Sequence, residues 1–292
     1  MKIALIFDDL ESRPDAGPAE RSVIETVDAV QAALVRLGHR PVRVPLGGPA
    51  TRWCAAITVA QPDLVFNLCE GIDGASALEP HVAAFVELLG LPFTGSSGET
   101  LALARRKDRV NALLAARDVP VPEWTVVAAG DALPAWNRFP AIVKPAGEDG
   151  SVGITQQSVA RDPAELADAI AAPRSIGPLI IQQFIAGGEV SVGLVGDHVL
   201  PLAEIDFTRM PAGVWRIVSY SAKWETGSVE DLGSAPVCPA RLSAEESARL
   251  TFHACRAWRA VDGEGYGRID FRIAEDGSPF VLDVNPNPDL AP

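Results

Sequence analysis

Apolar positions along residues 1–97 alternate between two spacings, and together they predict a wound α/β unit. Lys2–Phe7 is a short apolar run of the kind that a strand buried on both faces requires. After a segment rich in Asp, Pro and Gly, Val23, Val27, Val30, Leu34 and Leu37 recur at helical spacing, and Gly38 supplies a stop. Pro41–Pro45 and Asp63–Leu68 are expected as further strands, Ala77–Leu89 as a helix closed by Gly90, and Pro92–Gly95 as a strand end. This order implies an open parallel sheet with ligand loops at the carboxyl ends of its strands. No G-x-G-x-x-G follows the first strand, so a dinucleotide has no support.

Beyond it the pattern changes. Leu101–Ala116 predicts one Ala/Leu/Arg helix, ended by Val119-Pro-Val-Pro122. Strands are expected at Ala141–Lys144, Leu179–Phe184, Val190–Val195, Val199–Phe207, Gly267–Ile273 and Phe280–Val284, with Glu245–Val261 the clearest long helix. Mostly antiparallel strands with a few helices give an α+β module after the α/β one. There is no internal repeat.

Composition narrows the function classes. At 292 residues and 48% hydrophobic, the chain can fill two or three cores. A formal charge of −13 repels polyanions, which argues against nucleic acid and anionic membranes as partners. The four cysteines form no C-x-x-C pair and the four histidines no cluster, so a zinc site is not expected. The N-terminal apolar run is too short for a signal sequence, and the expected location is cytoplasmic.

Three segments could carry chemistry. Arg268-Ile-Asp270-Phe-Arg272 and Phe280-Val-Leu-Asp283-Val-Asn285, joined by a Glu-Asp-Gly turn, look like two strands. If they pair, Arg268, Asp270, Asp283 and Asn285 share one patch, with Asp270 exposed. Its oxygens suit magnesium, which takes few protein ligands. Ala141-Ile-Val-Lys144 runs into a Gly/Ser-rich turn that could surround phosphates with backbone N–H groups, although an ordinary hairpin loop has the same pattern. Lys107 alone is an exposed helix lysine by default. Ile180-Ile-Gln182-Gln183-Phe-Ile185-Ala-Gly-Gly-Glu189 could be a hinge against an adenine edge or a plain β-turn.

In this order the segments resemble the ATP-grasp superfamily, and within it the D-alanine–D-alanine ligase group. The resemblance runs from Phe66-Asn-Leu-Cys-Glu-Gly71 and Leu88–Ser96 through Lys107, Lys144, Glu148–Gly153, Gly188-Glu189, Lys223 and Cys238-Pro-Ala240 to Asn285-Pro. It implies an N-terminal substrate domain (1–97), a central ATP-grasp subdomain (98–187) and a C-terminal subdomain with the metal site (188–292). By this resemblance Lys107 and Lys144 would contact the ATP phosphates under a loop containing Ser151. Gln182, Gln183 and Ile185 would frame adenine, Glu189 would hold the ribose, and Lys223 would reach the γ-phosphate. Asp270, Asp283 and Asn285 would bind two magnesium ions, or manganese in their place, and Arg268 would steady the tetrahedral intermediate. The implied reaction joins a carboxylate to an amine through an acylphosphate, on amino-acid-like substrates, in an enzyme whose relatives are often homodimers.

Departures from the family pattern cluster in the amino-acid pocket. Glu20 matches the pocket glutamate, but Gly150 and Trp224 fall where the family carries serine and tyrosine. Ile24 replaces a serine, Glu70 a histidine and Asp283 a glutamate, and Asn-Pro-Asn-Pro-Asp289 replaces a serine–proline–glycine run. The sequence ends at Pro292, before the position of the family's acceptor-carboxylate contacts. The expectation is an amide ligase with a different substrate. The alternatives are a strict D-alanine–D-alanine ligase of peptidoglycan precursor synthesis, or a catalytically silent nucleotide-binding protein.

Overall fold

Strand β1 (Lys2–Asp8) is the middle of the first sheet because its apolar run has two faces to cover. Parallel ladders join it to β2 (Arg40–Leu46) on one side and β3 (Leu64–Asn67) on the other. Ile3, Leu5 and Phe7 point to α1 (Pro18–Arg36), against Val23, Val27 and Leu34. Ala4 and Ile6 point the other way, packing with Trp53 and Ile57 of α2 (Ala50–Ala60) and Val82 and Val86 of α3 (Glu79–Leu88). Leu37 caps α1 in solvent, outside its apolar stripe. The expected strand at Pro92–Gly95 is reduced to one parallel bridge between Phe93 and Val65. Helix α2 was not anticipated, since only Trp53 and Ile57, one turn apart, mark its buried side.

The computed structural model describes residues 1–128, 131–171 and 177–290, so Pro292 lies outside the described residues. The chain forms two compact units. One holds residues 1–102 with 263–267 and the residues from Pro286 onward, and the other holds 103–262 with 268–285. In the first unit Asn287 donates to Glu79 (2.8 Å) and to the Cys69 carbonyl (3.1 Å), and Thr26 donates to Asp289 (2.5 Å). The unusual Asn-Pro-Asn-Pro-Asp segment is thereby tied down.

The predicted helix Leu101–Ala116 is in fact two, α4 (Gly98–Ala104) and α5 (Lys107–Ala115). Arg106 is out of helical geometry, and the Lys107 N–H turns to the Ala146 carbonyl (3.1 Å), diverted from an intrahelical partner. In the second unit β4 (Trp124–Val127), β5 (Ala141–Pro145), β6 (Val159–Ala160) and β7 (Leu179–Gln183) make an antiparallel sheet in the order β4-β7-β5-β6. One face packs on α6 (Pro163–Ala171) through Ala141, Val143, Leu179 and Ile181.

A six-stranded sheet follows, built from β8 (Gly188–Val195), β9 (His198–Val199), β10 (Ala203–Asp206), β11 (Ala235–Val237), β12 (Tyr266–Ile273) and β13 (Pro279–Asn285). The expected strand Val199–Phe207 is split into β9 and β10 around Pro201, which has no N–H to donate to a ladder. Short helices α7 (Tyr220–Trp224) and α8 (Val229–Gly233) precede α9 (Ala244–Ala260). Ile269, Phe271, Val281 and Val284 pack with Leu250, Ala254, Ala257 and Trp258 of α9 and Val110 and Leu114 of α5. This is the expected α/β unit followed by α+β structure.

Residues 184–187 connect β7 of the smaller sheet to β8 of the larger. Gly187 has φ +135, and a Cβ there would overlap the Ile273 carbonyl oxygen. Gly187→Ala should therefore lower stability by more than about 1 kcal/mol. Urea unfolding checks this, and an unchanged midpoint would count against a strained link.

Candidate functional site

Pairing of β12 with β13 sets Asp270 opposite Asp283 and Arg268 opposite Asn285. The register jumps between Asp270 and Phe271, which pairs with Val281 and leaves Leu282 as a bulge. Strict alternation would put Asp283 on the Val281 side, in the core. The bulge brings it to the side of Asp270.

Asp270 is not the exposed carboxylate that its sequence pattern suggested, for its side chain is 18% accessible. It accepts hydrogen bonds from Arg268 Nε (2.8 Å), Arg268 Nη2 (3.1 Å) and Ser191 Oγ (2.7 Å). Burial pushes its pKa up, but Arg268 and Ser191 outweigh burial and hold it below the usual carboxylate range. Asp283 accepts from Lys107 Nζ at 3.0 Å, and the same Nζ reaches Asp149 at 2.6 Å. Lys107 is buried, contrary to its default as a surface lysine. Burial opposes its charge, yet the two carboxylates more than offset this and keep it protonated. Burial pushes Asp283 up against the pull of Lys107.

Lys144 and Gln182 occupy the face of the smaller sheet opposite the α6 core. Lys144 pairs with Ile180 and Gln182 with Ile142, so these four share that face. Burial pulls the Lys144 pKa down to about 8, with Asp283 and Glu189 as the main opposing charges. Gln182 Oε1 is buried without a partner, an acceptor that a ligand amino group could satisfy. Ile185 is buried and Gln183 half-buried. Glu189 is the second residue of β8 and meets Arg272 Nη2 at 3.1 Å.

The loop after β5 is closed onto the segment around α7. Gly150 and Ser151 are successive left-handed residues (φ +62 and +61). Ser151 Oγ donates to the Val218 carbonyl (2.8 Å), and Trp224 Nε1 donates to the Gly150 carbonyl (2.8 Å). Lys223 Nζ lies 4.8 Å from the Trp224 ring centre. Gln156 bonds Trp215 and Glu230, and Glu230 in turn accepts from Ser219, the N-cap of α7. Glu20 belongs to the first unit, where it accepts from the Gly17 N–H (2.7 Å) and pairs with Arg13 (2.7 Å).

A family model for the D-ala D-ala ligase C-terminus matches residues 113–292. The chain belongs to the D-alanine–D-alanine ligase family. An uncharacterised Sinorhizobium fredii protein, y4sG, is 30% identical over 90% of this chain and 78% of its own length. A D-alanine–D-alanine ligase of Citrifermentans bemidjiense is 31% identical over 93% of this chain and 83% of its own. The fold matches that of a Bacillus anthracis D-alanine–D-alanine ligase with a TM-score of 0.78, at 21% identity over 99% of this chain and 88% of that one. The protein is accordingly an ATP-grasp ligase that forms carbon–nitrogen bonds with ATP and magnesium. No helix among the described residues is long and apolar enough to cross a membrane.

Among the described residues no three His, Cys, Asp or Glu side chains cluster as a metal cage. The ligase instead offers two opposed carboxylates and an amide, a hard-oxygen set that fits magnesium with phosphate and water completing its shell. Sequence reasoning missed Asp149, Gln156, Glu230 and Arg272. Arg272 left a signal, because it stands two residues after Asp270 on the same strand, and so did Asp149, which lies inside the Glu148–Gly153 segment.

A phosphate placed on Lys144 would favour its protonated form, so on that assignment ATP binding near pH 8 should take up a proton, and affinity should fall as pH rises through that value. Calorimetry of metal-free binding in buffers of different ionisation enthalpy measures the uptake. Lys144→Arg, which stays charged, should abolish it. Equal proton uptake in both proteins would rule Lys144 out as its source.

Proposed function

We propose that this ligase activates a carboxylate as an acylphosphate with ATP and passes the acyl group to an amine of an amino-acid-like molecule. The observation that carries the reading is the convergence within one unit of Lys107, Lys144, Asp270, Asp283 and Asn285, with Lys107 bound to Asp283. Lys107 and Lys144 neutralise phosphate charge, Ser151 and its loop cover the phosphates, and Lys223 reaches the γ-phosphate. Gln182, Gln183 and Ile185 frame the adenine, with the unpartnered Gln182 Oε1 supplying an acceptor for its amino group. Glu189 receives the ribose hydroxyls, and Arg268 faces the charge that develops on the reacting carboxylate. Asp270, Asp283 and Asn285 would hold two magnesium ions, whose contribution is to neutralise phosphate charge. In this reading residues 1–97 bind substrate with Glu20, 98–187 form the central ATP-grasp subdomain, and 188–292 form the C-terminal one.

The substrate is assigned as different from a pair of D-alanines. Trp224 spends its N–H on the Gly150 carbonyl, and neither position offers a hydroxyl for a serine–tyrosine network around an amino acid. A panel of carboxylates and amines, scored for ADP release and product mass, should reveal a pair that outpaces D-alanine. Efficient dipeptide formation from D-alanine alone would favour the second reading, a strict D-alanine–D-alanine ligase, which the names of curated relatives support.

Asp270→Asn keeps the side-chain volume beside Arg268 but removes the charge. Turnover should drop by at least about 100-fold, and the melting temperature should fall as well, because Arg268 loses its charged partner. Retained turnover in that variant would sink the metal assignment.

A further inference from the structure

Arg272 is 3% exposed and has no role in the reading above. Burying a guanidinium is costly unless it is paired and fully hydrogen-bonded, so its partners show what it is there to hold. It donates Nη1 to the Gly187 carbonyl (3.0 Å) and Nη2 to the Arg216 carbonyl, and Nη2 also meets Glu189 Oε2 at 3.1 Å. The Phe184 and Phe207 rings lie 5.4 and 5.6 Å from the guanidinium carbon. Phe184 and Gly187 belong to the link between the two sheets, Glu189 is the second residue of β8, and Arg216 lies in the segment that Gln156 grips through Trp215. One side chain therefore fixes the link, the ribose carboxylate and the base of the loop closure.

We propose that Arg272 is the positioning residue for the ribose end of the nucleotide, holding Glu189 in place to receive the sugar hydroxyls. The inference rests on the reading of Glu189 as the ribose acceptor. Burial pushes the Glu189 pKa above the usual carboxylate value, and Arg272 is the largest influence opposing it. Without Arg272, Glu189 would be driven towards its neutral form, which accepts fewer hydrogen bonds. Lysine cannot reproduce the arrangement. It carries the charge, but its ammonium lacks the flat fork that reaches two carbonyls and a carboxylate from between two rings.

The test compares dissociation constants for magnesium ATP and magnesium 2′,3′-dideoxy-ATP by calorimetry, without an amine or carboxylate substrate. Wild type should prefer ATP by about tenfold or more, as expected for hydrogen bonds to a charged acceptor. Arg272→Lys and Arg272→Met should both bring that preference to within about threefold, and Glu189→Gln should do the same. A merely structural arginine would weaken both nucleotides alike and leave the ratio unchanged, and that result in Arg272→Lys overturns the inference. Failure of both Arg272 variants to fold overturns it too, since Arg272 would then be a core residue. Wild type that binds ATP without preference removes the ribose role of Glu189, and wild type that binds no ATP removes the proposed function itself.

Discussion

Bulging of Leu282 out of the β12–β13 ladder is the constraint on which the carboxylate site depends. Side chains alternate along a strand, so Val281 and Asp283 would share a face if β13 ran regularly. One face is the core against α9 and α5, where Phe271 and Ile269 are wholly buried. The extra residue lets Val281 and Val284 both reach that core while Asp283 stands across from Asp270. Hydrophobic packing and carboxylate placement are satisfied by the same irregularity.

Carboxylates brought together this way need cations, because leaving buried charge unpaired costs several kcal/mol per ion. Arg268 answers Asp270 from the same strand, at two residues' distance. Lys107 answers Asp283 from far along the chain, and it gets there because the helix containing it is broken. The break is held by the loop after β5, where Lys107 N–H bonds the Ala146 carbonyl and Arg105 bonds the Gly147 carbonyl. Lys107, the loop and Asp283 thus form one connected network. In the proposed function, phosphate and metal would exchange partners with this network, whose charged groups are already desolvated and paired.

At the other end of the same unit, polar groups are matched less completely. Gln182 Oε1 waits without a partner, and Glu189 depends on Arg272. Closure of the loop is already present, but it is built from Trp224, Gln156 and Glu230. The Trp224 indole spends its one N–H on the Gly150 carbonyl and is part of that closure. In the proposed reading, the nucleotide residues of the family are kept and the change falls on the side of the acyl substrate.

Much of this was legible in the chain itself. The β1 run, the α1 stripe, the long α9 and the antiparallel strands follow from local periodicity, and local periodicity is set by residues near in sequence. The pairing of Asp270 with Asp283 could also be anticipated, because their strands adjoin through a short turn. The bulge could not, since it answers to a core formed by α5 and α9 at distant positions. Nor could the helix break at Arg106, the burial of Lys107 or the grip of Arg272, each of which is decided by a carbonyl or carboxylate supplied from elsewhere in the chain. Sequence determined which groups are available and on what kind of element. Tertiary structure decided which charges are desolvated together, because burial and pairing depend on what the rest of the fold packs around them.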